Sequence, residues 1–411
     1  MSCCNKPGLM SIEEAQQKML ASVSTTPSIL ALPLEQAPGY VLADDVFSPL
    51  FVPPFDNSAM DGYAVRMKDL HHHDILPLAG KAFAGQPFNE EWPDGTCIRI
   101  MTGAKIPNGC DAVIMQEETT ETETGIQFQT SGIKKGSNIR PRGDDISQGD
   151  IVLEQGIRLT PRDIPMLASL GITTVSVYSK PKVAVFSTGD ELRAPGEPLA
   201  EGQIYDSNRY GLKAMLQNFG CEVTDLGIIP DCPDKLRAAF SEAQAIADLV
   251  ITSGGVSVGE ADYTKDILQE SGEIHFWKIA IKPGKPFAFG KLNTAFFCGL
   301  PGNPVSAAVT AYVLVQPMIA RLSGHKYWQA PVSFPATSKN IFRKKPGRTD
   351  YQRGVYTVKD GKFEVETTGN QSSGAFRSMS QANCFVILEQ DRGKIEAGEV
   401  VQIQPFNHTL Y

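Results

Sequence analysis

KVAVFSTG (182–189), CEVTDLGII (221–229), DLVITSGG (248–255) and TAFFCGL (294–300) are short apolar runs, rich in β-branched and aromatic residues, each containing or adjoining glycine. The stretches between them have a helical texture. In SNRYGLKAMLQNFG (207–220), Leu212, Met215, Leu216 and Phe219 share one face and Gly220 follows the end. PDKLRAAFSEAQAIA (233–247) and ADYTKDILQESG (261–272) also read as helices, and EIHFWKIAI (273–281) as another strand. Pro304 opens a long apolar helix reaching about Leu322. Strands alternating with helices predict an α/β domain with a doubly wound, mostly parallel sheet and helices on both faces.

Outward from this core the texture changes. Ser11 and Glu14 have capping-box spacing, and Ile12, Ala15, Met19, Leu20 and Val23 recur at helical intervals, so an N-terminal helix is predicted, ended by Pro27. From about 40 to 158, short apolar runs alternate with Gly, Pro and Asp clusters, which predicts short antiparallel strands. Thr160-Pro161-Arg162-Asp163 carries a cap, a proline and an acid, and predicts a helix closed by Gly171. After Gly324 the helical pattern stops. Residues 330–411 read as a small all-β barrel or sandwich, with a hairpin signal at Lys359-Asp360-Gly361-Lys362.

Composition removes several function classes. The 411 residues carry 38 Lys and Arg against 46 Asp and Glu, a net charge of −8. A net-acidic chain makes a poor non-specific nucleic-acid binder, because phosphate neutralisation needs clustered cations. No apolar run approaches the ~18 residues of a membrane span, and the N-terminus has no secretory pattern, so no membrane partner is expected. Eight scattered cysteines lack zinc spacing, and the expected setting is reduced thiols in the cytoplasm. The adjacent Cys3 and Cys4 have no partner ligands nearby for a metal clip. His71, His72 and His73 cannot all face one metal from a regular element, which points to a solvated loop.

Ligands of open α/β sheets bind beyond the carboxyl ends of the strands. Three loops hold that position here: Ser187–Glu191, Ser253–Asp262 and Gly299–Pro304. Small residues such as Gly254, Gly255 and Ser257 let backbone N–H groups approach an anion, and Glu191 and Asp262 could hold a hard cation. The glycines match neither a Walker loop nor GxGxxG, and tight turns are glycine-rich for steric reasons alone. The even spacing of Lys278 and Lys282 predicts one shared strand face, and Lys285 follows a Pro-Gly turn. An anion pocket and a lysine-protected edge strand are both consistent with this trio. Further on, Lys339, Arg343, Lys344, Lys345, Arg348 and Arg353 form a second basic stretch. A solvated loop explains most of it, and Arg353 stands out as a bidentate donor for an oxyanion.

DNSAMDGYA (56–64), RIMTGA (99–104), FSTGDEL (186–192), SGGVSVGEADY (253–263), KPGKP (282–286) and GLPGNP (299–304) occur together and in order. In these motifs, and over nearly its whole length, the chain resembles the bacterial MoeA family of molybdopterin molybdenumtransferases, whose relatives include the E-domain of gephyrin. The resemblance implies insertion of molybdate into adenylylated molybdopterin with release of AMP, dependent on Mg2+, in a cleft between the two subunits of a homodimer. It implies a discontinuous N-terminal domain (1–50 and 145–180), an inserted β-rich domain (51–144), an α/β molybdopterin- and nucleotide-binding domain (181–328) and a C-terminal β-barrel (329–411). It places Glu191 and Asp262 at the metal and nucleotide phosphate, with Asp231 as a further acid. Lys278, Lys282, Lys285, Arg353 and Ser373 match functional and oxyanion positions, Ser372 being the alternative to Ser373. Asp61 and Asp145 match acids reaching the cleft from the second subunit, beside Thr102 and Arg140. Ser187, Gly254, Gly255, Ser257 and Pro301 fall among the binding loops. Molybdopterin adenylyltransferase and downstream cofactor-delivery proteins are the partners it suggests. A lone adenylyltransferase domain would leave 1–180 and 330–411 without a role, and nothing in the chain signals the partner peptide of a scaffold.

Overall fold

The structure, a computed structural model, describes residues 8–23, 27–129, 131–255, 267–270 and 272–406. The chain forms two compact units. One takes residues up to 43, 156–160 and 175 onward; the other takes 44–155 and 161–174.

The first unit is built on a six-stranded sheet. Its strands are β1 (Lys182–Thr188), β2 (Glu222–Ile229), β3 (Leu249–Ser253), β4 (Gly272–Lys278), β5 (Pro286–Leu292) and β6 (Phe296–Leu300). The order is β2-β1-β3-β6-β5-β4. The first four run parallel, and β5 and β4 add an antiparallel pair at one edge. The helices are α1 (Asn208–Asn218), α2 (Pro233–Ile246) and α3 (Pro304–Leu322), and 267–270 are helical as well. Side chains alternate across a strand. Val183 and Val185 therefore meet α1, α3 and the N-terminal helix (Ile12–Ser22), while Ala184 and Phe186 meet α2. On the α2 side Phe240 packs edge-on against Phe186 and Phe297, with centroids 5.2 and 5.7 Å away. Burying a side chain of that size contributes about 1.5–3 kcal/mol. Doubly covered strands explain why β1, β3 and β6 carry apolar residues on both faces.

The N-terminal helix is capped as its sequence predicts: the Glu14 N–H donates to Ser11 Oγ at 3.0 Å. Its buried residues Ile12, Ala15 and Met19 join the α3 layer. Within α3 the stretch Ala311–Val315 is a π turn, and Gln16 Nε2 donates to Val313 O at 2.8 Å. The expectation that no stretch has the length and apolarity of a membrane span needs correction here. Among the described helices α3 has both, but 89% of its apolar window is buried in this unit. It is a core helix, buried on most of its surface, which accounts for its largely apolar sequence.

Five strands close into a small barrel: β7 (Phe334–Ser338), β8 (Thr349–Lys359), β9 (Lys362–Thr367), β10 (Cys384–Leu388) and β11 (Val400–Pro405). The ring runs β8-β9-β7-β11-β10 and returns to β8. Asp360 and Gly361 both have positive φ, +49° and +73°, so the β8–β9 connection has the backbone twist of a two-residue hairpin. The short strand Ile281–Lys282 leaves the large sheet and pairs with β8. That corrects the prediction for the lysine trio. Lys278 ends β4, Lys282 lies in the barrel's added strand, and the two do not share a strand face.

In the second unit, short strands form a four-stranded sheet in the order Leu78–Ala82, Cys97–Ile100, Gly62–Val65, Ala112–Met115. Its predicted helix is shorter than expected. It spans Ile164–Ser169 and begins after Asp163, because Thr160 and Pro161 stay outside the helical turn.

Candidate functional site

β1, β3 and β6 are parallel neighbours, so the loops after Thr188, Ser253 and Leu300 emerge side by side. Glycine makes their close approach feasible. Gly254 has φ +97°, its N–H donates to Leu300 O at 3.1 Å, and a Cβ there would lie 2.9 Å from Thr188 O. Gly255 follows at φ +67°. The loops border a hollow of about 330 Å³ whose lining includes Glu191, Asp206, Asn208, Ser253, Gly254 and Gly302.

A buried polar network fixes this hollow. Asp206, 1% exposed, accepts from Ser187 Oγ at 3.1 Å and from Arg209 Nε at 2.8 Å. Arg209 Nη1 reaches Asp225 Oδ1 at 2.6 Å. Burial works against the Arg209 charge, but hydrogen bonds to Asp206 and Asp225 outweigh it and raise its pKa. Asn208 Nδ2 donates to Ser253 Oγ at 2.8 Å and to Gly302 O at 2.7 Å, tying two loops together. Asp206, Asn208 and Arg209 escaped the sequence reading. The only local signal was the run Asp206-Ser207-Asn208 before a helix. Ser187 was singled out as a binding residue; its hydroxyl is engaged by Asp206.

Acidic charge gathers beside the hollow. The Asp231 N–H donates to Asp190 Oδ1 at 3.2 Å. Partial burial, then the charges of Asp190 and Glu191, push the Asp231 pKa up. Among the described residues no three His, Cys, Asp or Glu side chains form a metal cage. The acids still fit Mg2+, which is commonly held by one or two carboxylates with substrate phosphates and water. Ser257 and Asp262 lie outside the described residues. Pro301 is buried and lines neither hollow.

Lys282 and Lys285 line a second, larger hollow of about 730 Å³, together with the 343–348 loop and Lys394. Among the described residues it shares no lining residue with the glycine-loop hollow. Lys282 Nζ pairs with the buried Asp350 at 2.9 Å, and Gln352 Nε2 donates to the same oxygen at 3.0 Å. Lys278 is exposed and borders neither space. Arg353 is 1% exposed and points inward: Nε donates to Ser378 Oγ at 2.9 Å, and Nη2 to Asn370 O and Ser372 O at 3.2 and 3.0 Å. Burial lowers its pKa to about 10. The loop it braces carries Ser373, whose carbonyl accepts from the Val305 N–H in the first turn of α3 at 3.1 Å.

In the second unit, Asp61 Oδ1 accepts from the N–H and the hydroxyl of Thr102, both at 2.7 Å. The Thr102 backbone bond, then its hydroxyl, hold the Asp61 pKa below the usual carboxylate value. Asn57–Ser58 pairs with Ile139–Arg140, which brings the two motifs together. Arg140 Nε donates to Asp144 at 2.9 Å, and the exposed Asp145 follows.

Three family models match in sequence order: the MoeA N-terminal region (domain I and II) over 10–171, a probable molybdopterin binding domain over 184–321, and the MoeA C-terminal region (domain IV) over 335–406. The molybdopterin molybdenumtransferase of Haemophilus influenzae is 53% identical, covering 98% of this chain and 100% of that protein. That of Nostoc sp. is 37% identical, over 89% and 86%. A crystal structure of the molybdopterin biosynthesis MoeA protein from Pyrococcus horikoshii superposes with a TM-score of 0.82 at 28% identity, covering 97% of this chain and 100% of that one. Matches of this extent, over a wound sheet joined to a closed barrel, place the chain in the MoeA family of molybdopterin molybdenumtransferases.

Proposed function

We propose that this chain transfers molybdenum from molybdate to adenylylated molybdopterin, releasing AMP, and does so with Mg2+ as a cytoplasmic homodimer. The observation that carries this reading is the pair of chemically opposite hollows in one unit. One has glycine-rich backbone and acids at the mouth of the sheet; the other is lined by cations at Lys282 and Lys285. Adenylylated substrate suits the first. Amides near Gly254 and Gly255 approach its phosphates, Asn208 holds the surrounding loops, and Glu191 and Asp231 provide carboxylates for the cation, to which the family resemblance adds Asp262. A bound divalent cation there would offset charge on the phosphoryl oxygens. The molybdate dianion suits the second hollow, where Lys285 forms no ion pair among the described residues and Asp350 keeps Lys282 oriented. Asp61 and Asp145 are assigned to the cleft from the second copy. Asp61 stays ionised at neutral pH, held by Thr102, which fits an acid that works as an anion.

The experiment mixes the full chain with adenylylated molybdopterin, Mg2+ and molybdate and follows AMP. Release that tracks molybdate concentration supports the proposal; release indifferent to molybdate removes it. Mixed dimers of Asp61→Ala and Glu191→Ala chains should regain one working cleft. No recovery would leave the shared-cleft part without support.

A further inference from the structure

Loop 343–348 looked like solvated surface in the sequence. In the fold it is a fixed wall of the larger hollow. Lys344, buried at 8% exposure, donates from Nζ to Arg392 O at 2.8 Å and Gln390 O at 3.1 Å. The Gly347 N–H donates to Gln390 O at 2.8 Å, and Gln352 Nε2 donates to Arg343 O at 2.9 Å. A buried cation thus serves as the loop's anchor and leaves its neighbours facing the hollow.

Those neighbours carry unbalanced charge. Beside the anchored Lys344, the lining contains Lys282, Lys285, Arg343, Lys345, Arg348 and Lys394, and no acid among the described residues. Lys282 is paired with Asp350, and Lys394 with Glu396 at 2.7 Å. Lys285, Arg343, Lys345 and Arg348 form no ion pair with any described residue. Asp350 is already committed to Lys282 and Gln352. Cations held around one concave space raise its potential and draw in counter-charge. Two arginines add planar forks that match tetrahedral oxyanions. The space, about 730 Å³, exceeds what one oxyanion at Lys282 and Lys285 would fill.

We propose that Arg343, Lys345 and Arg348 form an additional subsite for a tetrahedral dianionic oxyanion, in the hollow that Lys285 also lines, that gathers the dianion before it reaches the reacting position. That the dianion is free molybdate rests on the function proposed above. A phosphate monoester on an organic substrate shares the same chemistry and is the other source.

Equilibrium dialysis of the full chain separates these cases without pterin, so its outcome is independent of the AMP-release assay. One arm uses inorganic molybdate and the other phenyl phosphate. The combined variant Arg343→Gln, Lys345→Gln, Arg348→Gln should bind molybdate at least tenfold more weakly. The charge-preserving Arg343→Lys, Lys345→Arg, Arg348→Lys variant should stay within threefold of the parent, which excludes a folding defect of the loop. Lys339→Gln, a neutralised lysine outside the hollow, should leave binding unchanged. Weakening in the phenyl phosphate arm alone upholds the oxyanion subsite and assigns it to an esterified phosphate. Unchanged affinity for both ligands in the neutralised variant overturns the proposal.

Discussion

Arg353→Met separates two roles that one residue could have. Resemblance makes Arg353 an oxyanion ligand, whereas the fold turns its guanidinium into the wall of the barrel, against the 370–378 loop. Methionine keeps much of the aliphatic volume and removes three donated bonds. Each bond from a charged donor is worth about 1.5–3 kcal/mol, so the gross loss is about 4.5–9 kcal/mol. Methionine also avoids desolvating a guanidinium, which returns part of that sum. A net loss of about 3–5 kcal/mol is expected. Urea unfolding should show it as a lower midpoint at an unchanged slope. Hydrogen exchange should quicken first in the 370–378 loop, because its carbonyls lose their partner. Arg353→Lys keeps a charge but not the fork and should recover less than half of the loss. If Arg353→Met cost less than about 1 kcal/mol while molybdate binding collapsed, the bracing role argued from these distances would be wrong.

Other outcomes follow from the same geometry. Gly254→Ala introduces a Cβ 2.9 Å from Thr188 O at φ +97°, so a stability loss of about 1–3 kcal/mol is expected in thermal unfolding, and a neutral result would contradict the close approach of the loops. Thr102→Ala should raise the Asp61 pKa, read by carboxyl-carbon NMR. In the parent the depressed folded value gives a contribution present above the unfolded pKa and lost as pH falls through the folded one, so the variant should lose it at higher pH. For Asp231 the sign is opposite. Its folded pKa is raised, so stability present below the unfolded value is lost as pH rises through the folded one. Asp231→Asn should therefore be slightly more stable at neutral pH, by about 0.5 kcal/mol or less once solvent screening is allowed for, and the gap should close in acid. Millimolar Mg2+ should favour the parent over Asp231→Asn in the same melts; no difference would count against Asp231 as a cation ligand.

Several features were legible because their causes lie within a few residues. Ser11 caps the N-terminal helix through its own hydroxyl, the Asp360-Gly361 pair sets the hairpin by its positive φ values, and the apolar runs of β1, β3 and β6 announce strands covered on both faces. The glycines after those strands marked the mouth of the sheet for the same local reason. Partnerships across the chain were not legible. Lys278 and Lys282 are four residues apart, but the chain changes sheets between them, and strand periodicity says nothing about where a sheet ends. Asp206, Asn208 and Arg209 look like an ordinary helix start until β1 and β2 bring Ser187 and Asp225 beside them. Loop 343–348 reads as exposed surface until the barrel, closed by the β8–β10 pairing, sets it in the lining of one hollow with Lys285. Sequence alone determined which segments become strands, helices and tight turns, since backbone preference and side-chain period act locally. Only the tertiary structure decided which charges around the larger hollow are neutralised and which face open space, because the partner that settles Lys282, Asp350, lies tens of residues away in another strand.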